Sequence, residues 1–154
     1  MSAAQQAKVK SPRQLWMAVL ARASAAQLQA HLADLPPLPA HRVLRGPEAG
    51  LVMVRGRAGG GGAAFNLGEM SVTRCSVRDA AGQIGHAYVS GRDAMQAELA
   101  ARIDAALQNP EWHDRLMEAV ITPLAASQQA AKAELAAKAA ATRVQFFTLA
   151  TMRS

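Results

Sequence analysis

The segment "EMSVTRCSVR" (residues 69–78) is followed by the turn-forming "DAAGQ" and then by "IGHAYVSG" (residues 84–91). Two strand-like runs joined by so short a connection read as an antiparallel β-hairpin, so this chain must contain a sheet. Upstream, "GLVMVRGR" (residues 50–57) is rich in β-formers and bounded by glycine, and "HRVLRG" (residues 41–46) is a further short strand. Four strands are therefore expected between residues 42 and 91. Beyond Gly91 the apolar period changes. Asp93 caps a predicted helix through Met95, Leu99, Ile103 and Leu107, which "NP" ends. A second helix starts at Pro110, carries Trp112, Leu116, Met117 and Val120, and is expected to stop at Pro123.

Ahead of the strands, Ser11 and Pro12 open a helical pattern expected to run to about residue 33, with Leu15, Trp16, Val19, Leu20, Leu28 and Leu32 at three- and four-residue steps. "LPPLPAH" (residues 35–41) breaks it. Residues 124–141 are alanine-rich and strongly helix-forming but hold few large apolar side chains, so this helix is either exposed or packed on another chain. The last segment, about residues 143–152, contains Val144, Phe146, Phe147 and Leu149 and reads as an apolar extended tail. The expected fold class is α+β in one domain over residues 1–154: an N-terminal helix, a small mainly antiparallel sheet with a glycine-rich loop, C-terminal helices and the tail.

Between the strands stands Gly59-Gly60-Gly61-Gly62. Glycine loses more backbone freedom on folding than any other residue, so such a run is costly to order. No Gly-Lys-Ser/Thr follows it, which excludes a Walker loop, and strand rather than helix follows it, which excludes a dinucleotide fingerprint. It is either a flexible hairpin connection or a place where backbone meets a ligand or partner so closely that a Cβ would clash. Phe65 is expected to anchor its far end against the core.

Charge narrows the partners. The 154 residues carry a net charge of +6, and the excess lies in the front and middle of the chain. Residues 42–92 hold Arg42, Arg45, Arg55, Arg57, Arg74, Arg78 and Arg92 against Glu48, Glu69 and Asp79. Arginine suits bidentate binding of phosphate or carboxylate, so an anionic partner is expected. Arg55 and Arg57 are two apart and share a strand face, as do Arg74, Ser76 and Arg78. If the two strands are neighbours, these arginines form a basic patch beside the glycine loop, unless they serve only to keep a sheet edge soluble. Nucleic acid is a poor match, because the basic segment offers only Phe65 and Tyr88 for stacking.

Catalytic patterns are missing. His31, His41, His86, His113 and Cys75 show no metal-ligand spacing. His86, on a strand face with Ile84 and Tyr88, reads first as a hydrogen-bonded packing residue, Cys75 as a buried small hydrophobe, and Glu69 as an arginine partner. No Ser-His-Asp or paired-carboxylate set stands out. The lone cysteine excludes an internal disulfide and fits a reducing compartment. With no run of about 18 apolar residues and no secretory pattern, a cytoplasmic protein is expected. With half its residues apolar but only 4% aromatic, the chain is expected to build a modest core completed by a partner.

"RQLWMAVLARA", "GLVMVRGRAGGGGAAFNLGEMSVTRCSVR", "GHAYVSGRD" and "TRVQFFTLA" together resemble the PhnG family, subunits of the bacterial carbon–phosphorus lyase system, over nearly the whole chain and in the same order. The resemblance implies a cytoplasmic core complex with PhnH-, PhnI- and PhnJ-like subunits, acting with an ATPase-like protein. It also allows a homodimer within that complex. In that system an alkylphosphonate displaces adenine from MgATP, giving ribose 1-alkylphosphonate 5-triphosphate. MgATP is the substrate of the complex, and no cofactor or metal is expected on this chain alone. The chain is then a non-catalytic helper, with ligand or partner contacts expected at Arg55, Arg57, Gly59, Gly60, Gly61, Gly62, Phe65, Asn66, Glu69, Arg74, His86 and Arg92. A free-standing nucleotide- or phosphonate-binding module and a basic RNA-associated protein are the alternatives.

Overall fold

Each half of the N-terminal helical region begins at its own capping box. The structure, a computed structural model, describes residues 10–57 and 62–143. Helix α1 (Pro12–Leu20) starts at Ser11, whose hydroxyl accepts from the Gln14 N–H while the Gln14 side chain accepts from the Ser11 N–H. Helix α2 (Ala25–Leu32) repeats the device with Ser24 and Gln27. The single helix expected over 12–33 is therefore two, because Ser24-Ala-Ala-Gln27 restarts the chain with a fresh N-cap.

Among the described residues the sheet has three strands where four were expected, in the order β1-β2-β3 and antiparallel throughout. The two upstream candidates fuse into one long strand, β1 (His41–Gly56), which pairs with β2 (Phe65–Asp79). Fusion across Gly46-Pro47 is possible because β1 is an edge strand, where proline's missing donor leaves no central ladder bond unmade. β3 (Ile84–Ser90) pairs with β2 only between Val72 and Arg78. Beyond that point β1 and β2 continue, among the described residues, as a two-stranded ribbon ending at Gly56 and Phe65.

Helix α3 (Ala94–Leu107), capped by Asp93, is the helix packed on the sheet. Its Ala97, Ala101, Ala105 and Ala106 are all fully buried. Small side chains bring its backbone against β3, and a Cβ added to Gly85 would run into the Ala101 carbonyl and the Ala105 backbone. Leu20, Leu28, Ile103, Leu107, Leu116 and Leu124 complete the core, each worth roughly 1.5–3 kcal/mol of transfer free energy when fully buried.

Helix α4 (Pro110–Leu116) passes through a wider π-helical turn (Met117–Ile121) directly into α5 (Thr122–Ala141). Pro123 does not interrupt the helix. It sits at the start of α5, where the preceding π-helical turn accommodates its ring and its missing N–H. From 131 to 141 every residue of α5 is exposed, and Leu135 shows 69% of its surface. Among the described residues nothing packs on this end of the alanine-rich helix. The expected apolar tail from residue 144 onward, and Gly59, Gly60 and Gly61, lie outside the described residues. Among the described residues no helix is long and apolar enough to cross a membrane, and no three side chains form a metal-binding group.

Candidate functional site

Two features of the sheet concentrate the sequence-predicted residues, and the register separates them. The first is the ribbon. On it Arg55 is the cross-strand partner of Asn66, Met53 of Glu69, and Gly56 of Phe65. Arg55 donates to the Ala64 carbonyl at 3.4 Å, and Arg57 lies just past the strand, exposed. Gly62, with φ at +98°, is in the region that favours glycine. Phe65 is 48% exposed at the ribbon's far end, so it does not anchor the loop against the core as expected, because β3 and α3 stop short of it.

The ribbon is apolar on both faces. Leu51 and Met53 lie on one side, 60% and 57% exposed, while Val52, Val54 and Met70 lie on the other. A soluble sheet normally alternates apolar and polar faces, and an isolated two-stranded hairpin is marginal in water. Among the described residues the outer edge of β1 also has no neighbouring strand.

The second feature is the sheet face opposite α3. Arg74 lies on it beside Glu48, not beside Arg55, and the seven residue steps along β1 from Glu48 to Arg55 amount to roughly 23 Å. The single patch of Arg55, Arg57 and Arg74 expected from the sequence is therefore divided between the ribbon and the body. What joins Arg74 instead is Arg45 and Glu48. The Nε of Arg45 donates to Glu48 Oε1 at 2.8 Å and that of Arg74 donates to the same oxygen at 2.7 Å. These two guanidinium hydrogen bonds, Arg45 first, hold the Glu48 carboxyl below its usual range.

Sequence spacing hides this cluster. Arg42, Arg45 and Glu48 are three apart, and in a regular strand such residues alternate faces. β1 carries one extra residue between Val43 and Arg45 and another between Arg45 and Glu48. Each bulge reverses the alternation, so Arg42, Arg45 and Glu48 all lie on the face of Arg78, Ser76 and Arg74. Gly46, φ +71°, forms the second bulge, and a Cβ there would meet the Arg74 carbonyl. The Gly46-Pro47 pair was the one sequence signal for it.

Across β2, Ser76 Oγ and His86 Nδ1 are hydrogen-bonded at 2.8 Å. Both line a shallow depression of about 260 Å³ with Arg45, Arg74, Tyr88 and Met17. His86 is fixed from behind, since its backbone N–H donates to Asp104 Oδ2 at 2.9 Å. Asp104 is completely buried and also accepts from Arg13 (2.7 Å) and from the Trp16 indole (2.8 Å). Arg92 is exposed in the turn after β3, away from this cluster.

Residues 11–152 match the family model described as phosphonate metabolism protein PhnG. The chain belongs to the PhnG family. Among its PhnG relatives, the alpha-D-ribose 1-methylphosphonate 5-triphosphate synthase subunit PhnG of Rhizobium meliloti (strain 1021) is 44% identical over 133 residues. That match covers 86% of this chain and 85% of the relative. Family membership thus spans the ribbon, the open sheet face and the helical body together.

Proposed function

We propose that this chain is an accessory subunit of a synthase in which an alkylphosphonate oxygen attacks C1 of the ribose of MgATP. The bond from C1 to adenine breaks, adenine leaves with a proton, and ribose 1-alkylphosphonate 5-triphosphate remains. The name of the Rhizobium relative, a subunit of the corresponding methylphosphonate synthase, supports this assignment. The chemistry belongs to another subunit, and this chain completes the assembly with PhnH-, PhnI- and PhnJ-like proteins in the cytoplasm.

One observation carries the subunit role: the ribbon is apolar on both faces and, among the described residues, has no strand beyond β1, with Leu51, Met53, Phe65 and Leu67 each about half exposed. A protein that worked alone would have no reason to hold these side chains in water, and such patches mark interaction surfaces. The exposed end of α5 adds to it. By contrast, Ser76 and His86 form a pair without a further group on the imidazole's second nitrogen among the hydrogen bonds of the described residues, so the orienting partner of a Ser-His nucleophile is missing.

The test is co-expression with the PhnH-, PhnI- and PhnJ-type chains, followed by adenine release from MgATP and methylphosphonate. We expect stable co-purification and loss of adenine release when this chain is omitted. Adenine release that continues without it, with no co-purification, would instead leave a free-standing ligand-binding module.

A further inference from the structure

We propose that the sheet face opposite α3 is a docking surface for a carboxylate-rich surface of a partner protein, gripped by Arg42, Arg45, Arg74 and Arg78. The four guanidinium groups share that face with one acidic residue, Glu48. Arg45 and Arg74 already share Glu48, so that carboxylate serves two of the four. Arg42 and Arg78 are direct cross-strand partners, both exposed, and neither forms an ion pair among the described residues. Like charges placed directly opposite on a sheet destabilise it, so this arrangement is held at a cost that an external anion removes. Asp79, next to Arg78 in the chain, is buried and accepts from the Gln83 N–H.

The shape of the face selects the occupant. From Arg78 to Arg74 is four residues, roughly 13 Å of open strand, and the hollows along it are shallow, one of about 260 Å³ beside His86 and Tyr88 and one of about 300 Å³ at the end where Arg42 and Arg78 stand. Small anions are held in concave sites by converging donors, whereas charges spread over an open strand match a macromolecular surface. A second copy of this chain, presented by the same face, would set four arginines against four. Nucleic acid would want stacking platforms, and Tyr88 is the aromatic side chain of the face. A protein surface with clustered Asp and Glu side chains meets all of these conditions, and Arg is the residue best suited to forked binding of carboxylates.

This inference rests on the subunit role in needing a partner protein, but its test separates the two. Association of the full chain with the co-expressed partner chains is measured across a range of ionic strength, for the unaltered chain and for Arg42→Glu/Arg78→Glu. We expect the double variant to fold, because it exchanges one like-charge pair for another, and to associate at least about tenfold more weakly with a flatter salt dependence. Arg42→Gln/Arg78→Gln should fall between. In a second arm, Arg42→Lys and Arg78→Lys are treated with a carbodiimide, which joins amines to carboxylates in contact. Cross-links from position 42 or 78 to Asp or Glu of a partner chain support the proposal. Cross-links between copies of this chain, or none at all, overturn it. Unchanged association of the Glu variants with an unchanged salt slope overturns it while leaving the subunit role standing. Loss of MgATP or RNA binding with assembly intact assigns the face to a phosphate ligand and also overturns it. If the unaltered chain associates with nothing, both conclusions fall.

Discussion

The same strand β2 behaves as two materials. Between Val72 and Asp79 it is the middle of a three-stranded sheet under α3, with Cys75 and Val77 fully buried. Between Phe65 and Met70 it is paired with β1 alone among the described residues, and not one of these residues is buried. Apolar content does not separate the two halves, since the second holds Phe65, Leu67 and Met70. What differs is the presence of covering elements among the described residues, and the uncovered half is where the proposed partner would sit. Burial organised around α3 makes the body self-sufficient, and the ribbon's stability must come from whatever it meets.

Asp104 gives the largest contrast. Its carboxylate ties α1 to α3 and β3 through Arg13, Trp16 and the His86 N–H, with no exposed surface. Asp104→Ala would strand a guanidinium, an indole N–H and a backbone N–H, and we expect a loss of about 3–5 kcal/mol by urea denaturation. Asp104→Asn, which keeps the shape, should cost less. A loss below about 1 kcal/mol for the alanine variant would mean that water replaces the network and that the body is looser than its packing implies.

One chemical change at two sites measures the comparison directly. Leu107→Ala removes a side chain only 1% exposed, while Leu51→Ala removes one that is 60% exposed. We expect about 2–5 kcal/mol for the first and under about 0.5 kcal/mol for the second in the isolated chain. In the assembled complex the order should shift, with Leu51→Ala weakening association. Equal costs in the isolated chain would show that the ribbon folds back on the body in solution.

The body was legible from sequence wherever period and caps agreed. Asp93, Asn109 and Pro110 fixed helix ends, and the β2–β3 hairpin followed from its turn and strand chemistry. The expectation of one helix over 12–33 fails because Ser24 and Gln27 lie among helix-forming alanines between Leu20 and Leu28, with no glycine or proline to mark the second capping box. β1 read as two pieces for a similar reason: proline normally ends a strand, and only its edge position allows it. The open face was out of reach altogether. Arg74 and His86 were singled out, but the spacing of Arg42, Arg45 and Glu48 predicts alternating faces, and two bulges undo that prediction. Asp104 was overlooked because nothing in a helix sequence distinguishes a buried acid from a solvated one. The partners of Arg13 and Trp16 lie more than 80 residues away in the chain.

The bulge that builds the open face can be broken locally. Gly46→Ala places a Cβ against the Arg74 carbonyl at φ +71°. We expect a cost of about 1–3 kcal/mol, less than the body substitutions because β1 can slip at its edge. A slip by one residue would turn Glu48 to the other face, which is readable as loss of the Arg74 hydrogen bond. If Gly46→Ala were neutral and Glu48 stayed in place, the face would not depend on the bulge.

The smallest expected effect is the pH dependence of Glu48. Its folded carboxyl titrates below the ordinary value of 4.5 because Arg45 and Arg74 donate to it. A group lowered in the folded state stabilises the fold fully above its unfolded value, and that contribution is lost as pH falls through the folded one. The unaltered chain should therefore exceed Glu48→Gln in stability near neutral pH, and the two should converge as the pH falls below 4.5 and through the lowered folded value. The cluster is exposed, so salt should shrink the difference as well. The body offers the control, because the buried Asp104 network should respond far less to salt than this surface pair. A gap between the two chains that persisted at low pH would show that Glu48 acts through packing or backbone geometry. Its two arginines would then be held by the strand and not by the charge between them.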